Sequence, residues 1–562
     1  MNYKDKYNEW IQNPNLDQDI RNELLSLNEK EIEDAFYCDI EFGTAGMRGI
    51  MGPGTNRINK YTIIKACQGY ANFLKKNNMN GIAIAYDNRN NSKEYAELSA
   101  KVLSINDIDV YLFESLRPTP ELSFTVRHLK CSGGIMITAS HNPKEYNGFK
   151  LYDSNGCQNI PAIADKITKE VQEVNNQFEI DVDSFFRSEK IHHIGFEIDE
   201  AYYKNVLSIQ LRPDLVKDIK IAFSPLHGAS SVPVKECLRR AGYNVHDVEK
   251  ESIPDGNFSA IKSPNPENRD AYIGVLEKAN QINADLVLVC DPDGDRMGVA
   301  IKKEGSYFLF NGNQTGALLL EYILSTRKEK GEDLSNAYMF NTIVTSDIGE
   351  TVAKHYGVKC EKTLTGFKYI GDKIKQMENT DKKYAFGYEE SYGSLIGTFV
   401  RDKDATQACL MLAEACQYYR TKQKDLLDVL NDIFFYEGAY YDTQFSISLQ
   451  GADGQAKLKQ IMDRLRKELV VPTGFRLLHY DDYLYAKRYI YNKSEDIVGF
   501  DKSNVLKYVF EDGCFVAIRP SGTEPKCKIY ISTRATTYGE AVSKAESLQT
   551  QYTNLLKWPS KI

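Results

Sequence analysis

The 562-residue sequence has no apolar run that approaches the roughly 18 residues a membrane-spanning helix needs. Its first residues, Met1–Lys6, lack the apolar core of a signal peptide, so we expect no secretory leader. The eleven cysteines contain no CxxC pair and follow no regular spacing, which argues against a disulfide framework and a zinc site. We therefore expect buried, reduced thiols in a cytoplasmic protein.

Strong positive charge is also missing from this chain. The net charge is −8 and no basic stripe stands out, so we expect no nucleic-acid partner. Hydrophobic residues make up 42% and charged residues 26% of the sequence, as in an ordinary globular protein. The length exceeds what one hydrophobic core supports, so the chain should form several domains.

Strand-like and helix-like segments alternate through most of the chain. Apolar runs at Ile82–Tyr86 and Val110–Phe113 flank a helical pattern over residues 93–104. A unit of strand, polar loop and helix recurs around Ser140, at Ser224–Gly228 and at Thr345–Asp347, which predicts three related α/β domains with mixed sheets. A helical lead-in precedes them and a smaller α+β domain follows. The predicted domain boundaries are 1–205, 206–310, 311–430 and 431–562.

The apolar run Ile135–Ile137 breaks at once into Thr138-Ala139-Ser140-His141-Asn142-Pro143. A serine at the mouth of a strand, next to a histidine, is a candidate nucleophile. The plain alternative is a turn in which polar side chains merely close the strand. Lys150 follows ten residues after Ser140 and is a candidate proton donor or acceptor, with an exposed strand lysine as the alternative.

The acidic loop Asp291-Pro292-Asp293-Gly294-Asp295 follows a continuous apolar run, Leu286–Cys290, which is typical of a buried strand. Three carboxylates at alternate positions can converge on one hard cation, and oxygen ligands suit Mg²⁺. An EF-hand is excluded, because Arg296 and Lys302 occupy positions where that loop needs glycine and glutamate. A solvated acidic turn is the alternative, although it would leave three carboxylates repelling one another.

Three further loops have polar or glycine-rich compositions. Phe42–Gly54 contains many glycines that let backbone amides approach a ligand, with Arg48 adding a fixed charge, or it is a mobile hairpin. The paired acids of Gly387–Gly393 suit sugar hydroxyls better than glycosidase chemistry, because adjacent side chains point apart in an extended loop, or they are an ordinary exposed pair on the surface. Arg519–Pro525 has the guanidinium, hydroxyls and glycine amide of an anion cradle, or forms a tight turn.

Taken together, these loops resemble those of the α-D-phosphohexomutase superfamily, and they stand in the same order along the chain. That family has a Thr-Ala-Ser-His-Asn-Pro phosphoserine loop, an Asp-Gly-Asp metal loop, a Gly-Glu-type sugar loop and a C-terminal Arg-Pro-Ser-Gly-Thr phosphate loop. The start Gly43–Gly49 looks like the phosphoglucomutase branch. Some relatives carry a histidine two positions after the sugar-loop serine, whereas this chain has Gly393, which fits a phosphoglucomutase better than an aminosugar mutase.

The resemblance implies four domains around a central cleft and a role for each matching residue. Ser140 would carry the phosphoryl group and, with the three loop aspartates, ligate Mg²⁺. Arg48, His141 and Lys150 would act beside it, and Arg296 would belong to the same active site. The implied substrate contacts are Thr365, Gly366, Lys368, Glu389, Ser391, Arg519, Ser521, Gly522 and Thr523.

The predicted activity is the interconversion of hexose 1-phosphate and hexose 6-phosphate, with glucose as the favoured sugar and glucose 1,6-bisphosphate as intermediate and primer. Phosphomannomutase and phosphopentomutase activities are the alternatives within the family. Outside it, the alternatives are a phosphatase with Asp291 as nucleophile and a non-catalytic sugar-phosphate sensor, but the phosphatase pattern expects threonine or valine where Asp295 stands. The expected partners are small sugar phosphates, and the oligomeric state is not predicted.

Overall fold

The computed structural model describes residues 2–40, 42–43, 46–449, 454–491, 493–520 and 526–556. It divides into two compact units, which are described separately. The first unit contains residues 1–312 and 367–422, and the second contains residues 313–366 and 423–562. None of the helices in the described ranges combines the length and apolar character needed to cross a bilayer.

The first unit begins with the predicted helical lead-in, which consists of α1 (Tyr3–Gln12), α2 (Gln18–Ser26) and α3 (Glu29–Phe36). Asn28 and Glu31 form a reciprocal capping box at the start of α3, which satisfies backbone amides that the helix leaves unpaired. The lead-in is not a separate domain, because Trp10 packs edge-on against Tyr61 of the following α/β region.

A seven-stranded mixed sheet follows within the described residues of the first unit, in the order β1-β2-β6-β5-β3-β4-β7. Its strands are β1 (Phe42–Gly43), β2 (Gly46–Ile50), β3 (Ile82–Tyr86), β4 (Val110–Phe113), β5 (Gly133–Ile137), β6 (Tyr146–Asp153) and β7 (Ile191–Ile194). Its helices are α4 (Lys60–Lys76), α5 (Ser92–Ile105), α6 (Thr119–His128), α7 (Pro161–Gln172), α8 (Val182–Phe185) and α9 (Phe196–Leu207). Strands β3, β4, β5 and β7 run parallel, so the loops after β3 and β5 leave the same edge of the sheet.

The second α/β region of this unit has a five-stranded sheet, in the order β12-β11-β10-β8-β9 among the residues described. Its strands are β8 (Lys220–Ser224), β9 (Asn244–Asp247), β10 (Leu286–Cys290), β11 (Met297–Lys303) and β12 (Ser306–Phe310). Its helices are α10 (Ser231–Arg240), α11 (Glu249–Ser252) and α12 (Ile273–Ile282). Strand β10 is central and fully buried, as its continuous apolar sequence predicts.

The segment that we predict as the third domain contributes to both units. In the second unit lie most of α13 (Gly312–Glu329), and β13 (Ala337–Thr342), α14 (Ile348–His355) and β14 (Lys359–Thr363), with β13 parallel to β14. In the first unit lie α15 (Phe367–Met377), β15 (Lys383–Glu389), β16 (Gly393–Leu395) and α16 (Ala405–Thr421), with β15 antiparallel to β16. The predicted domain boundaries stay a prediction.

The C-terminal part of the second unit is the predicted α+β domain, with an antiparallel sheet in the order β17-β23-β22-β21-β18-β19-β20. Its elements are α17 (Leu426–Glu437), β17 (Ala439–Ser448), α18 (Gly454–Lys467), β18 (Leu477–Asp482), β19 (Lys487–Ile490), β20 (Lys493–Asp496), β21 (Leu506–Phe510), β22 (Phe515–Pro520), β23 (Lys526–Ala535) and α19 (Tyr538–Leu556). Helices α18 and α19 cover one face of this sheet with an apolar core. The fold class predicted from the sequence is therefore confirmed as a mixed α/β architecture.

A buried lysine marks the other face of this sheet. Lys507 on β21 lies with its ammonium 4.0 Å from the centre of the Phe515 ring. Nearby, Lys362 pairs with Asp347 at 2.9 Å and with Glu350. Burial and the positive charge of Lys362 lower the pKa of Lys507 to about 8, although the neighbouring carboxylates oppose this. Keeping Lys507 charged therefore lowers the stability of the folded protein.

Replacing Lys507 by methionine should raise the melting temperature at pH 7. The folded pKa of about 8 lies below the value near 10.4 for an unfolded chain, so unfolding takes up protons between these pH values. The stability advantage of Lys507→Met over the wild type should therefore shrink as the pH rises from 8 towards 10.4. Thermal melts across this range measure the effect, with Lys487→Met, an exposed lysine of the same sheet, as control. A lower melting temperature for Lys507→Met at pH 7 would contradict the prediction.

Candidate active site

Ser140 lies in the loop that follows β5, in the first unit. The residue is only 2% exposed, and its Oγ donates a hydrogen bond to Asp291 Oδ2 at 2.9 Å. The same Oγ lies 3.2 Å from His141 Nδ1. A φ of 51° places Ser140 in the left-handed region, which residues other than glycine rarely adopt. The strained loop thus directs the hydroxyl at the acidic loop, which a turn that merely closes the strand does not require.

The acidic loop follows the central strand β10, and its three carboxylates converge as predicted. Asp291, Asp293 and Asp295 are all buried, and one oxygen from each lies within 4.8 Å of the others. Among the described residues, Asp293 Oδ1 and Asp295 Oδ1 are buried and accept no hydrogen bond, and Asp295 Oδ1 has only the Arg296 guanidinium at 3.6 Å as a charged neighbour. Buried carboxylate oxygens without partners are unfavourable unless a cation binds them. The burial contradicts the solvated-turn alternative.

The electrostatics of this cluster also fit a bound cation. Burial and the negative charges of Asp293 and Asp295 hold the pKa of Asp291 well above its usual range. Burial also acts to raise the pKa of Asp293, but the Lys150 ammonium, 2.8 Å from Asp293 Oδ2, overrides it and lowers that pKa. Oxygen-only ligands of this kind suit a hard divalent ion such as Mg²⁺.

Two cations approach these loops from the antiparallel strands of the first sheet. Lys150 lies on β6 opposite Met136 of β5 and is only 6% exposed, so it is not the exposed strand lysine of the alternative interpretation. Arg48 lies on β2, and its Nη1 donates to Asn142 Oδ1 at 3.1 Å. Both predicted residues therefore reach the Ser140 loop or the acidic loop.

Arg296 and Lys403 complete the charged surroundings of Asp295. Arg296 donates to Glu267 Oε1 at 3.0 Å, and its Nε lies 3.6 Å from an Asp295 oxygen. Lys403 Nζ lies 3.0 Å from Asp295 Oδ2 and 3.1 Å from Asp402 Oδ1. Lys403 was not among the residues predicted for this site. The signal that was available is the alternating charged run at residues 401–404, whose members are all buried.

The predicted sugar loop is partly a strand, which corrects the sequence interpretation. Strand β15 continues through Glu389, which pairs with Gly393 of β16. Gly393 packs against the side chain of Lys403, which pairs with Asp295, so this end of β15 lies near the acidic loop. Burial lowers the pKa of Lys403, but the carboxylates of Asp295, Asp402 and Glu389 raise it above the usual value. Ser391 lies in the turn that follows, where the carbonyl of Tyr392 accepts a hydrogen bond from the backbone of Met297 at 3.0 Å. This turn is therefore attached to the strand that leaves the acidic loop.

The remaining predicted contacts are not all in the first unit. Lys368 is buried at the start of α15 in the first unit, with its Nζ 5.4 Å from the Tyr369 ring centre. Thr365, Gly366 and Arg519 belong to the second unit, Arg519 on β22. Ser521, Gly522 and Thr523 lie outside the described residues. The substrate-binding roles of these residues stay predictions.

Family models match the chain at four consecutive segments. They describe phosphoglucomutase/phosphomannomutase α/β/α domain I at residues 39–178, domain II at 200–305, domain III at 311–434 and the C-terminal domain at 475–541. The acidic loop falls in the segment matched as domain II, and Ser140 falls in domain I. The matches follow the order of the loops predicted from the sequence.

Curated proteins extend the match over nearly the whole chain. A phosphoglucomutase of Staphylococcus epidermidis is 37% identical, covering 93% of this chain and 96% of the relative. A phosphoglucomutase of Staphylococcus aureus is 36% identical, covering 96% of this chain and 97% of the relative.

Solved structures share the fold at lower identity. A putative phosphomannomutase from Thermus thermophilus has a TM-score of 0.68 and 20% identity, covering 92% of this chain and 99% of that structure. A phosphoglucomutase from Paramecium, parafusin, has a TM-score of 0.67 and 19% identity, covering 92% and 95%. With four domains matched in order and relatives similar along almost its full length, the chain belongs to the phosphoglucomutase/phosphomannomutase family of the α-D-phosphohexomutase superfamily.

Proposed function

We propose that the chain interconverts glucose 1-phosphate and glucose 6-phosphate through a phosphorylated Ser140. Glucose phosphate mutase activity follows from the curated phosphoglucomutases that match nearly the full chain. One observation above all supports the phosphoserine step. The Ser140 hydroxyl lies 2.9 Å from Asp291, which is one of three buried carboxylates that converge. Mannose and pentose phosphates are the alternative substrates within the family.

The metal requirement is the next part of the proposal. Asp291, Asp293, Asp295 and the Ser140 oxygen would hold Mg²⁺, because three buried carboxylates converge and two of their oxygens accept no hydrogen bond, which fits a hard cation. When bound, the ion supplies positive charge to phosphate oxygens on Ser140. Phosphoryl transfer depends mainly on such positioning and charge neutralisation.

We infer that proton transfer falls to side chains beside Ser140 and the acidic loop. His141 Nδ1 lies 3.2 Å from Ser140 Oγ, within reach of a proton at that atom. Lys150 is held against Asp293, next to the position of the transferred group, where an ammonium stabilises negative charge or exchanges a proton with a sugar hydroxyl. We assign these two residues to acid and base catalysis, with Arg48 and Arg296 as nearby charges.

Substrate binding is assigned to the remaining predicted residues. Glu389 and Ser391 would accept and donate hydrogen bonds to sugar hydroxyls, and Thr365, Gly366 and Lys368 would orient the ring. Arg519 with Ser521, Gly522 and Thr523 would grip the phosphate that is not reacting, as a guanidinium and hydroxyls can. Glucose 1,6-bisphosphate would form when Ser140 gives up its phosphoryl group, and it would also prime the unphosphorylated enzyme.

The proposal also includes the compartment. A cytoplasmic location is supported by the eleven cysteines, which are not linked by disulfides in the described structure. The expected partners are sugar phosphates.

A comparison of kcat/KM for glucose, mannose and ribose 1-phosphates tests the substrate assignment. The purified protein would be assayed with Mg²⁺ and a bisphosphate primer, and its intact mass would be checked for one phosphate. We expect the highest kcat/KM for glucose 1-phosphate. A higher value for either other sugar would replace glucose as the substrate without changing the phosphoserine assignment.

Gly393→Ala should reduce activity by displacing Lys403. A Cβ at position 393 would clash with Lys403 Cδ, so the lysine side chain must shift from its position between Asp295 and Asp402. Displacement of a charge beside the acidic loop should lower kcat/KM about 10- to 100-fold. In the control Gly539→Ala, the added Cβ meets no atom within 4 Å, and activity should stay unchanged. If Gly393→Ala has wild-type kinetics, activity does not depend on the position of the Lys403 side chain.

A further inference from the structure

The buried side chain of Arg89 donates hydrogen bonds to the backbone of the Ser140 loop. Arg89 Nη1 donates to the carbonyl oxygens of Pro143 at 2.8 Å and Tyr146 at 3.0 Å. Its Nη2 donates to the carbonyl oxygens of Ser140 and Asn142. A single planar guanidinium therefore fixes four backbone carbonyls of one loop, which suits its rigid fork of donors.

A carboxylate ties the same arginine to the start of the loop. Asp87 Oδ2 lies 3.3 Å from Arg89 Nε and accepts a hydrogen bond from Thr138 Oγ1 at 2.6 Å. Thr138 Oγ1 in turn accepts from the backbone N–H of Ser140 at 2.7 Å. Asp87 and Arg89 thus hold Ser140 through both its N–H and its carbonyl.

Net stability does not account for the ion pair between Asp87 and Arg89. Both side chains are fully buried. Burial lowers the pKa of Arg89 and raises the pKa of Asp87, despite the attraction between them. Buried ion pairs often add no net stability compared with well-packed apolar side chains. What the pair does supply is geometry at the carbonyls and amide of the loop.

The loop needs such support because its backbone is strained. The left-handed φ of Ser140 is unfavourable in a residue other than glycine and persists only where surrounding contacts impose it. If Ser140 relaxed to a negative φ, its side chain would leave the direction that places Oγ 2.9 Å from Asp291.

A segment of the second α/β region covers the arginine. The Phe258 ring lies 5.1 Å from the Arg89 guanidinium carbon. Beside it, Asn88 Nδ2 donates to the carbonyl of Asp255 at 2.9 Å. The guanidinium is therefore closed off from water, which strengthens its hydrogen bonds.

We propose that Arg89 is a positioning residue for phosphoryl transfer, which keeps Ser140 in its strained conformation and its Oγ facing the acidic loop. The inference rests on the proposed phosphoserine mechanism. Arg89 is 3% exposed and contacts the loop backbone, so it acts through Ser140 and not on the sugar.

Arg89→Lys tests the inference, because lysine keeps the charge but loses the fork of donors. We expect kcat to fall about 100-fold, as for a small misplacement of a reacting group. KM for glucose 1-phosphate should change by less than about threefold. Phosphorylation of Ser140 by glucose 1,6-bisphosphate, followed by intact mass, should slow by a similar factor. Most of the rise in melting temperature on adding Mg²⁺ should remain, since the three aspartates proposed to hold the ion are unchanged.

Arg466→Lys is the matched control, since it weakens another mostly buried arginine–carboxylate pair, with Asp482 at 2.9 Å, in the C-terminal domain. It should lower the melting temperature without slowing phosphorylation of Ser140. Equal kcat losses in the two variants, or wild-type kcat in folded Arg89→Lys, would overturn the inference. If Arg89→Lys does not fold, Asp87→Asn takes its place in the experiment. The same selective loss of kcat is expected, and a wild-type kcat for Asp87→Asn would overturn the inference. Absence of phosphate transfer in the wild type would instead refute the mechanism of the proposed function.

Discussion

Ser140→Ala is expected to abolish mutase turnover, with a loss of kcat on the order of 10⁴-fold or more, as when a catalytic nucleophile is removed. The Ser140 Oγ is the hydroxyl that faces the buried carboxylates, and alanine leaves no atom to carry the phosphoryl group. The variant should fold, because alanine and serine have the same backbone cost at a φ of 51°. Turnover of glucose 1-phosphate with Mg²⁺ and a bisphosphate primer measures the effect.

Ser543→Ala is the control for this experiment, since it removes an exposed hydroxyl that donates to the Gly539 carbonyl within α19. It should retain wild-type activity. Intact mass should show one phosphate on the wild type and on Ser543→Ala, but none on Ser140→Ala. A fully active Ser140→Ala would remove this residue from the mechanism. Phosphate release without isomerisation would favour the phosphatase alternative with Asp291 as nucleophile.

Loss of the divalent ion should have an effect of similar size. Chelation with EDTA is expected to eliminate turnover, and Mg²⁺ should restore it. Asp291→Asn should lower kcat/KM about 100-fold or more, because a carboxylate that holds both the ion and the Ser140 hydroxyl is lost. Without Mg²⁺, however, this variant should melt at or above the wild-type temperature. One negative charge fewer relieves the repulsion among the three buried carboxylates.

The opposite signs of these two effects separate a metal site from an ordinary acidic turn. Saturating Mg²⁺ should stabilise the wild type, by about 2.7 kcal/mol at one hundred times the dissociation constant, and should stabilise Asp291→Asn much less. Asp432→Asn, at an exposed carboxylate that pairs with Lys424, is the control and should keep the full Mg²⁺ response. A wild-type protein that neither needs Mg²⁺ nor gains stability from it would refute the metal assignment.

Sequence patterns predicted local structure well where apolar runs are short and bounded by polar loops. Strand β10 has the predicted bounds of Leu286–Cys290, and strand β3 has the predicted bounds of Ile82–Tyr86. The prediction was wrong at Glu389, which lies in strand β15 instead of a loop. Glutamate has a weak preference for strands, and pairing with β16, a tertiary contact, overrides it.

The sequence alone determined the family, the α/β architecture and the loops that carry Ser140 and the three aspartates. These are local features, since an apolar strand followed by a polar loop is written in consecutive residues. Only the tertiary structure decided which distant charges join them. Lys403 reaches Asp295 across more than one hundred residues, and Arg89 reaches the carbonyl of Ser140 across a distance of 51 residues in the chain. Such contacts depend on how strands and loops pack, and periodicity along the chain carries no record of that packing.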